Sequence, residues 1–269
     1  AELYKRSSAQ AAFSPIMQLH SEQSGDPYPS HARTPWNAAA RLSDYECLTV
    51  YRKFANIRMN LIPYLYTEAK YTSDNGVPMM RHMSFEFPDD PNAYDQTFQY
   101  MLGGSLLVAP IVNQGEVDKD IYLPDTEWID FWWGAQRPGA RTISYYAPVD
   151  TIPVFVKSGS IIPMNLNSSY EIGGSIGNDL GSYNNITFRV YPDGNTTYDW
   201  YDYVNSVTRT ISASEKFKEN KIEITIPQID ITSTLQVFAS KPSSVEVDAV
   251  ALTEYSGFAA FQSANTGWY

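Results

Sequence analysis

His20 closes an apolar run, Phe13-Ser14-Pro15-Ile16-Met17-Gln18-Leu19, and its imidazole can both donate to and accept from a hydroxyl group. Such a histidine either faces a ligand or is a core or loop histidine satisfied by backbone, and the residue by itself leaves both readings open. His31 and His82 follow no comparable run. Cys47 is the one cysteine, so no internal disulfide can form, and with no Cys/His cluster the spacing offers no metal site. Asp44, Asp89, Asp90, Asp95 and Asp130 are the acids that could be read as a working carboxylate pair. Each stands where cap, turn or solvated-charge chemistry accounts for it.

The elements that must position these groups fall into three zones. The first, residues 1–77, is helix-rich. Its clearest helix opens on Ser43-Asp44-Tyr45-Glu46, spaced as a capping box in which hydroxyl and carboxylate each meet a free backbone N–H. Val50, Phe54, Ile57, Leu61 and Leu65 then recur every three or four residues on one face, with Arg52, Lys53, Arg58 and Lys70 largely off that stripe. Pro63 predicts a kink or break, and Gly76 after Asp74-Asn75 predicts a left-handed stop.

The second zone, 78–166, reads as short strands: Ser105 to Val112, Asp120 to Pro124 and Pro153 to Val156, with Gly159 turning the chain into Ile161-Ile162-Pro163. Its prolines belong at edges and strand ends. A Ser/Asn/Gly-rich stretch from Asn165 to Asn185 reads as a linker or long loop. In the third zone, 167–269, alternating runs at 186–190, 197–204, 221–226, 235–239 and 245–248 suggest a β-sandwich. Pro192-Asp193-Gly194-Asn195 turns the chain from the first run into the second.

The 269 residues, 43% of them hydrophobic, suffice for a substantial core in one or two domains. A formal charge of −11 repels polyanions, which argues against nucleic acid or an acidic membrane as a partner, whereas a neutral sugar meets no such penalty. Plain solubility explains the acidity equally well. No apolar run approaches the ~20 residues of a membrane span. The opening Ala1-Glu2-Leu3-Tyr4 reads like the middle of a helix and the close on Thr266-Gly267-Trp268-Tyr269 is abrupt, so both ends suggest a piece of a longer protein. The Cys-poor, Asn/Ser/Tyr-rich make-up leans towards secretion from a bacterium.

Several segments, in order, resemble glycoside hydrolase family 31 over residues 1 to about 200. They are Glu2-Leu3-Tyr4-Lys5-Arg6 with Phe13 to Ser21, Arg33-Thr34-Pro35-Trp36, Arg58 to Tyr66, Pro78-Met79-Met80-Arg81 with Phe85 to Pro91, Phe98 to Gly103 with Leu106 to Pro110, and Asp150 to Pro163. The resemblance implies an α/β plus all-β architecture. Residues 1–77 would be the C-terminal end of a (β/α)₈ catalytic barrel, 78–166 a proximal β-domain, and 167–269 a C-terminally truncated distal β-sandwich. A complete barrel takes about 250 residues, so the first zone would depend on the remainder of the barrel, in the same parent protein or as a separate chain.

In that family a retaining reaction needs two carboxyl groups about 5 Å apart. Both are aspartates on earlier barrel strands, and no Asp here matches either motif. The resemblance therefore implies no catalytic residue in this chain, no metal and no cofactor. It places His20 against the sugar in the cleaved-bond subsite, consistent with the C-terminal end of a barrel strand facing the active site. Trp36 and the Glu22 to Arg33 loop could shape outer sugar subsites, or Trp36 could anchor the loop. Trp128, Trp132, Trp133 and Trp200 could form a sugar platform, although their spacing fits packing. Ser7 stands where the family often has Trp; Gln18, where it often has Arg, together with the longer Ser21-to-Trp36 loop, looks closer to bacterial α-glucan-processing members, including glucosyl- and isomaltosyl-transferring ones. The expected function is thus the C-terminal part of a retaining hydrolase or transglycosylase acting on α-glucosides or α-glucans. The alternative is a non-catalytic carbohydrate-binding or structural β-module.

Overall fold

The computed structural model describes residues 1–19, 34–229, 231–264 and 266–269; His20, His31 and the Glu22 to Arg33 loop lie outside them. The chain divides into a unit spanning Ala1–Val237 and a second spanning Phe238–Tyr269.

The first unit opens with four helices, α1 (Glu2–Ala12), α2 (Pro35–Leu42), α3 (Glu46–Asn60) and α4 (Ile62–Asn75). The predicted stripe is the buried face: Val50, Phe54, Ile57, Leu61 and Leu65 are all at most 4% exposed. The break falls at Leu61, and Pro63 sits in the first turn of α4, where its missing N–H leaves no helical bond unmade. Gly76 ends α4 at φ 71. The capping box does not form. Ser43 takes a left-handed conformation at the end of α2, and Asp44 Oδ1 accepts from the Glu46 amide at 3.1 Å. The Glu46 carboxylate is instead drawn to Lys5 of α1, which also pairs with Asp44 at 2.8 Å. A tertiary ion pair has won over the local cap.

Short strands follow: β1 (Met80–His82), leading directly into the one-turn helix α5 (Met83–Glu86), then β2 (Tyr100–Leu102), β3 (Leu106–Val108), β4 (Asp118–Leu123), β5 (Glu127–Asp130), β6 (Gln136–Pro138), β7 (Arg141–Tyr146) and β8 (Val154–Lys157). Six of them make an antiparallel sheet in the order β1-β2-β3-β8-β5-β6, while β4 and β7 pair separately. Both share one core, in which Met101, Leu107 and Phe155 from the sheet meet Ile121, Leu123 and Tyr145 from the ribbon.

After the turn at Gly159 come β9 (Ser160–Asn165), β10 (Ile186–Tyr191), β11 (Asn195–Asp202), β12 (Val207–Lys216), β13 (Lys221–Thr225) and β14 (Ser233–Val237). The turn at Pro192–Asn195 does not join paired strands. β10 pairs with β9 and, in parallel, with β14, whereas β11 pairs with β12. The chain thus passes from a β14-β10-β9 sheet to a β11-β12-β13 sheet, and Ile161, Phe188, Val190, Trp200 and Ile211 of the two sheets share a core. The stretch between β9 and β10 has no regular structure but is packed rather than loose. Leu166 is buried, and the Asn60 amide donates to the carbonyls of Asn165 (2.9 Å) and Gly174 (3.1 Å) while accepting from the Gly173 N–H (2.8 Å).

The second unit holds a two-strand ribbon, β15 (Glu246–Val247) with β16 (Val250–Ala251), and α6 (Phe258–Gln262), whose Phe258 and Phe261 rings lie against Tyr269.

Helix α4 packs on β11 and the turn after it through stacked Tyr64–Tyr198 and Tyr66–Tyr203 rings, and it buries an acid in that joint. Glu68 is 6% exposed, accepts from the Tyr198 hydroxyl at 3.3 Å and lies 3.7 Å from Arg81, which also pairs with Glu86 at 2.8 Å. Gly103, at φ +61, leaves the room; a Cβ there would collide with the Glu68 carboxylate and the Tyr64 hydroxyl. Burial lifts the Glu68 carboxyl to about 7, with Arg81 pulling the other way. A carboxyl raised in the folded state holds a proton that the unfolded chain has released. Its contribution is therefore complete below about pH 4.5 and lost as pH rises to about 7. The loss amounts to at most about 3 kcal/mol at 1.36 kcal/mol per unit. Glu68→Gln should flatten the stability profile between those limits and unfold at higher urea than the unsubstituted protein at pH 8. Urea midpoints measured at pH 5 and pH 8 check this, and equal pH slopes for the two proteins would refute it.

Candidate functional site

The segment that leads to His20 begins where α1 ends. The last carbonyls of a helix have no intrahelical donors, so something outside must supply them. Here the donors come from elsewhere in the fold. Arg58, in the last turn of α3, donates through Nη1 to the carbonyls of Ala12 (3.4 Å) and Ser14, and through Nη2 to that of Pro15 (2.6 Å). Tyr100, in β2, donates its hydroxyl to the Phe13 carbonyl at 3.0 Å. Four successive backbone acceptors, from Ala12 to Pro15, are thus held by two side chains. Burial lowers the Arg58 guanidinium pKa and raises the Tyr100 phenol to about 12, so the charged donor and the neutral one both persist at neutral pH.

The Phe13 ring is fully buried and meets Phe131 and Trp132 edge-on, with centroids 5.6 Å and 5.9 Å away. Trp132 is fixed by its indole N–H on the Ile152 carbonyl at 2.7 Å, and Phe131 by the Arg189 guanidinium 5.1 Å over its ring. At the other side of α1, Arg6 reaches the carbonyls of Ala147 and Pro148 (both 3.0 Å) and Glu116 (2.6 Å). α1 and the residues after it are therefore bolted to the β-rich part by buried side chains.

Beyond Pro15 the character changes. Ile16 is 73% and Leu19 37% exposed, and Pro15 to Leu19 make no backbone–backbone hydrogen bond among the described residues. An apolar stretch whose backbone makes no ladder hydrogen bond among the described residues has the chemistry of an inner strand without its neighbours. Trp36, in the first turn of α2, shows 61% of its surface, while Ala39 one turn on is buried. Of the two residues expected at a site, the structure thus describes Trp36, with an accessible ring, and the approach to His20.

Most of the other candidates are engaged in turns, ion pairs or packing. Asp44 accepts from the Glu46 amide and pairs with Lys5, Asp90 accepts from the Asn92 amide (3.0 Å) and the Tyr122 hydroxyl (2.7 Å), and buried Asp130 accepts from the Trp132 and Trp133 amides (2.8 and 2.9 Å). Trp128 and Trp200 are fully buried; Trp133 stands 82% exposed. Among the described residues no three His, Cys, Asp or Glu side chains converge as a metal site would require. A polar cleft of about 340 Å³ lies beside Glu68, Arg81, Tyr71 and Lys157. Arg58 and Tyr100 escaped the sequence reading. The one signal available for Arg58 was a cation one residue after the buried Ile57, in a helix otherwise committed to packing.

Residues 1–68 match the profile of the glycosyl hydrolases family 31 TIM-barrel domain, and residues 76–162 that of the glycosyl hydrolase family 31 C-terminal domain. An isomaltosyltransferase of Sporosarcina globispora is 56% identical over all 269 residues, which cover 25% of that protein. Among solved structures, the cycloalternan-forming enzyme from Listeria monocytogenes, in complex with a pentasaccharide substrate, superposes with a TM-score of 0.95 at 51% identity, over 100% of this chain and 25% of that one. A Flavobacterium johnsoniae dextranase complexed with glucose gives 0.77 at 31% identity, over 94% of this chain and 32% of that one. The chain spans about a quarter of the length of the first two.

Phe13→Ala should cost about 3–5 kcal/mol, the range for emptying a buried aromatic site. Trp133→Ala should change stability by less than about 0.5 kcal/mol, because its ring touches mainly solvent. Urea denaturation of both variants checks the contrast, and comparable losses would contradict the assigned packing.

Proposed function

The chain belongs to glycoside hydrolase family 31, and from that premise we propose that it is the C-terminal part of a retaining enzyme that transfers or hydrolyses α-glucosyl units of α-glucans. Residues 1–77 then close a (β/α)₈ barrel and β1 to β8 form the proximal β-domain, while β9 to β14 form a distal β-sandwich that begins at Ser160 rather than at residue 167. The single observation that carries this reading is the apolar segment Pro15 to Leu19, clamped at Pro15 and without a backbone–backbone hydrogen bond among the described residues. A stand-alone binding module has no use for an orphan strand held in this way. The remainder of the barrel, in the same parent protein, supplies both flanking strands and both catalytic aspartates.

The chemistry divides accordingly. One upstream carboxylate attacks the anomeric carbon while the other carboxyl protonates the departing glycosidic oxygen; the second then takes a proton from the incoming water or sugar hydroxyl as the glycosyl–enzyme ester opens. This chain contributes contacts rather than bonds. His20, at the far end of the segment, exchanges hydrogen bonds with hydroxyls of the sugar being transferred, and Trp36 offers a flat face to a sugar further out. Transfer to a sugar acceptor is favoured over simple hydrolysis. An isomaltosyltransferase 56% identical and a cycloalternan-forming enzyme 51% identical both align along the whole of this chain.

Residues 1–269 by themselves should leave an aryl α-glucoside intact, and the full-length parent should turn it over. In the parent, His20→Ala should lower kcat/KM by about 10- to 100-fold, the value of one or two hydrogen bonds to a sugar. Steady-state kinetics on the three proteins check both statements. Turnover by the isolated chain would contradict the absence of the acid and nucleophile.

A further inference from the structure

We propose that the cleft between α4, the β8–β9 turn and β11 binds a neutral glucosyl unit through Tyr71, Lys157, Ser160 and Asp199. That the sugar is glucosyl rests on the α-glucan reading above; that the ligand is neutral and rich in hydroxyls rests on the cleft alone. The volume of about 340 Å³ falls at the lower end of the range for small-molecule pockets, about 300–1,000 Å³. Every lining residue lies between Thr67 and Asp199, so the walls come from α4 and from both groups of strands.

The charges decide the ligand class. Arg81 is buried and its donors are committed: Nε to the Pro78 carbonyl (2.8 Å) and Nη1 to Glu86 (2.8 Å), with Nη2 3.7 Å from Glu68. Lys157 lies 3.6 Å from Glu86. Two cations thus stand among three carboxylates, Glu68, Glu86 and, on β11, Asp199. An anion would be opposed by these acids, and a further cation by Arg81 and Lys157. A neutral polyol meets neither opposition. Its hydroxyls can donate to a carboxylate and accept from an ammonium, and an ammonium 3.6 Å from one oxygen keeps donors to offer.

Ser160 is an independent pointer to a ligand. It is 4% exposed and lines the cleft, and its hydroxyl meets no hydrogen-bond partner among the described residues. Its backbone is held by the β9–β10 ladder opposite Tyr191, so the hydroxyl stands on a rigid element. A buried hydroxyl left without a partner is costly, and a sugar hydroxyl supplies one. Tyr71 meets the other half of sugar chemistry. Its side is 48% exposed and offers a flat apolar surface to the C–H face of a pyranose, while the Arg81 guanidinium, 5.9 Å over the ring, steadies it.

Hydroxyl-radical footprinting of the full-length parent, titrated with isomaltotriose, tests this. Oxidation of Tyr71 should slow by about twofold or more at saturation, as the sugar covers its ring. Ser160→Ala should raise the half-protecting concentration about three- to tenfold, the value of one hydrogen bond, with a near-unchanged Tm because its removal strands no partner. A Tyr71 rate indifferent to isomaltotriose, a Ser160→Ala titration that matches the unsubstituted protein, or protection by inorganic phosphate and not by the sugar would overturn the site. The readout needs no turnover, so the two readings fail separately. A parent that processes α-glucans while Tyr71 stays unprotected refutes the cleft alone, whereas protection in a parent inert towards α-glucans supports the cleft and defeats the enzymatic reading. Should Ser160→Ala accumulate poorly, Lys157→Met, at a partly exposed strand end, is titrated in its place with the same expected weakening.

Discussion

The carbonyl groups where α1 ends have exhausted the donors of their own helix, and side chains from α3 and β2 supply what is missing. Everything else about the N-terminal part follows from that requirement. Arg58 and Tyr100 can reach Ala12 to Pro15 only if α3 lies along α1 and the six-stranded sheet comes up beside them. Phe13 completes the arrangement by entering the aromatic group formed with Phe131 and Trp132, and Arg6 ties the opposite side of α1 to the loops before β4 and after β7. The helices and the sheet are therefore one structural system around a short, irregular stretch of chain. That stretch is built into the fold more firmly than most loops, which usually run over a surface held by little but water.

The segment it delivers is left bare. Ile16 and Leu19 expose apolar surface, and the backbone between them has no strand partner among the described residues. Such an edge is a liability unless another strand covers it. The chain spans about a quarter of the length of the isomaltosyltransferase and of the cycloalternan-forming enzyme, and in the proposed reading the covering strands come from the rest of the barrel. Rigid anchoring at one end and dependence at the other fit one wall of a shared pocket.

Much of the fold was legible in the sequence because it rests on local rules. The stripe from Val50 to Leu65, the break before Pro63 and the left-handed stop at Gly76 each follow from spacing or from the backbone of one residue. What local rules could not supply was decided at long range. The residues spaced as a capping box yielded to Lys5, an ion 41 positions away from Glu46. The turn at Pro192–Asn195 looks like a connection between partners, yet β10 finds its partners in β9 and in the parallel β14, and β11 goes to another sheet. The site shows the same division. His20 and Trp36 stood out through motifs, whereas Arg58 looked like one more cation off the apolar stripe. Its acceptors, 43 to 46 residues earlier, are carbonyls, which carry no signature in the amino-acid sequence.

The most direct test of the central claim is a crystal structure of the full-length parent with an α-glucan oligosaccharide bound. The account predicts Pro15 to Leu19 paired on both sides in a closed barrel, the Arg58 clamp intact, and a His20 ring nitrogen about 3 Å from a hydroxyl of the sugar beside two facing carboxylates. A bound oligosaccharide whose sugars at the carboxylate pair lie beyond hydrogen-bonding reach of His20, with the segment still unpaired, would contradict it.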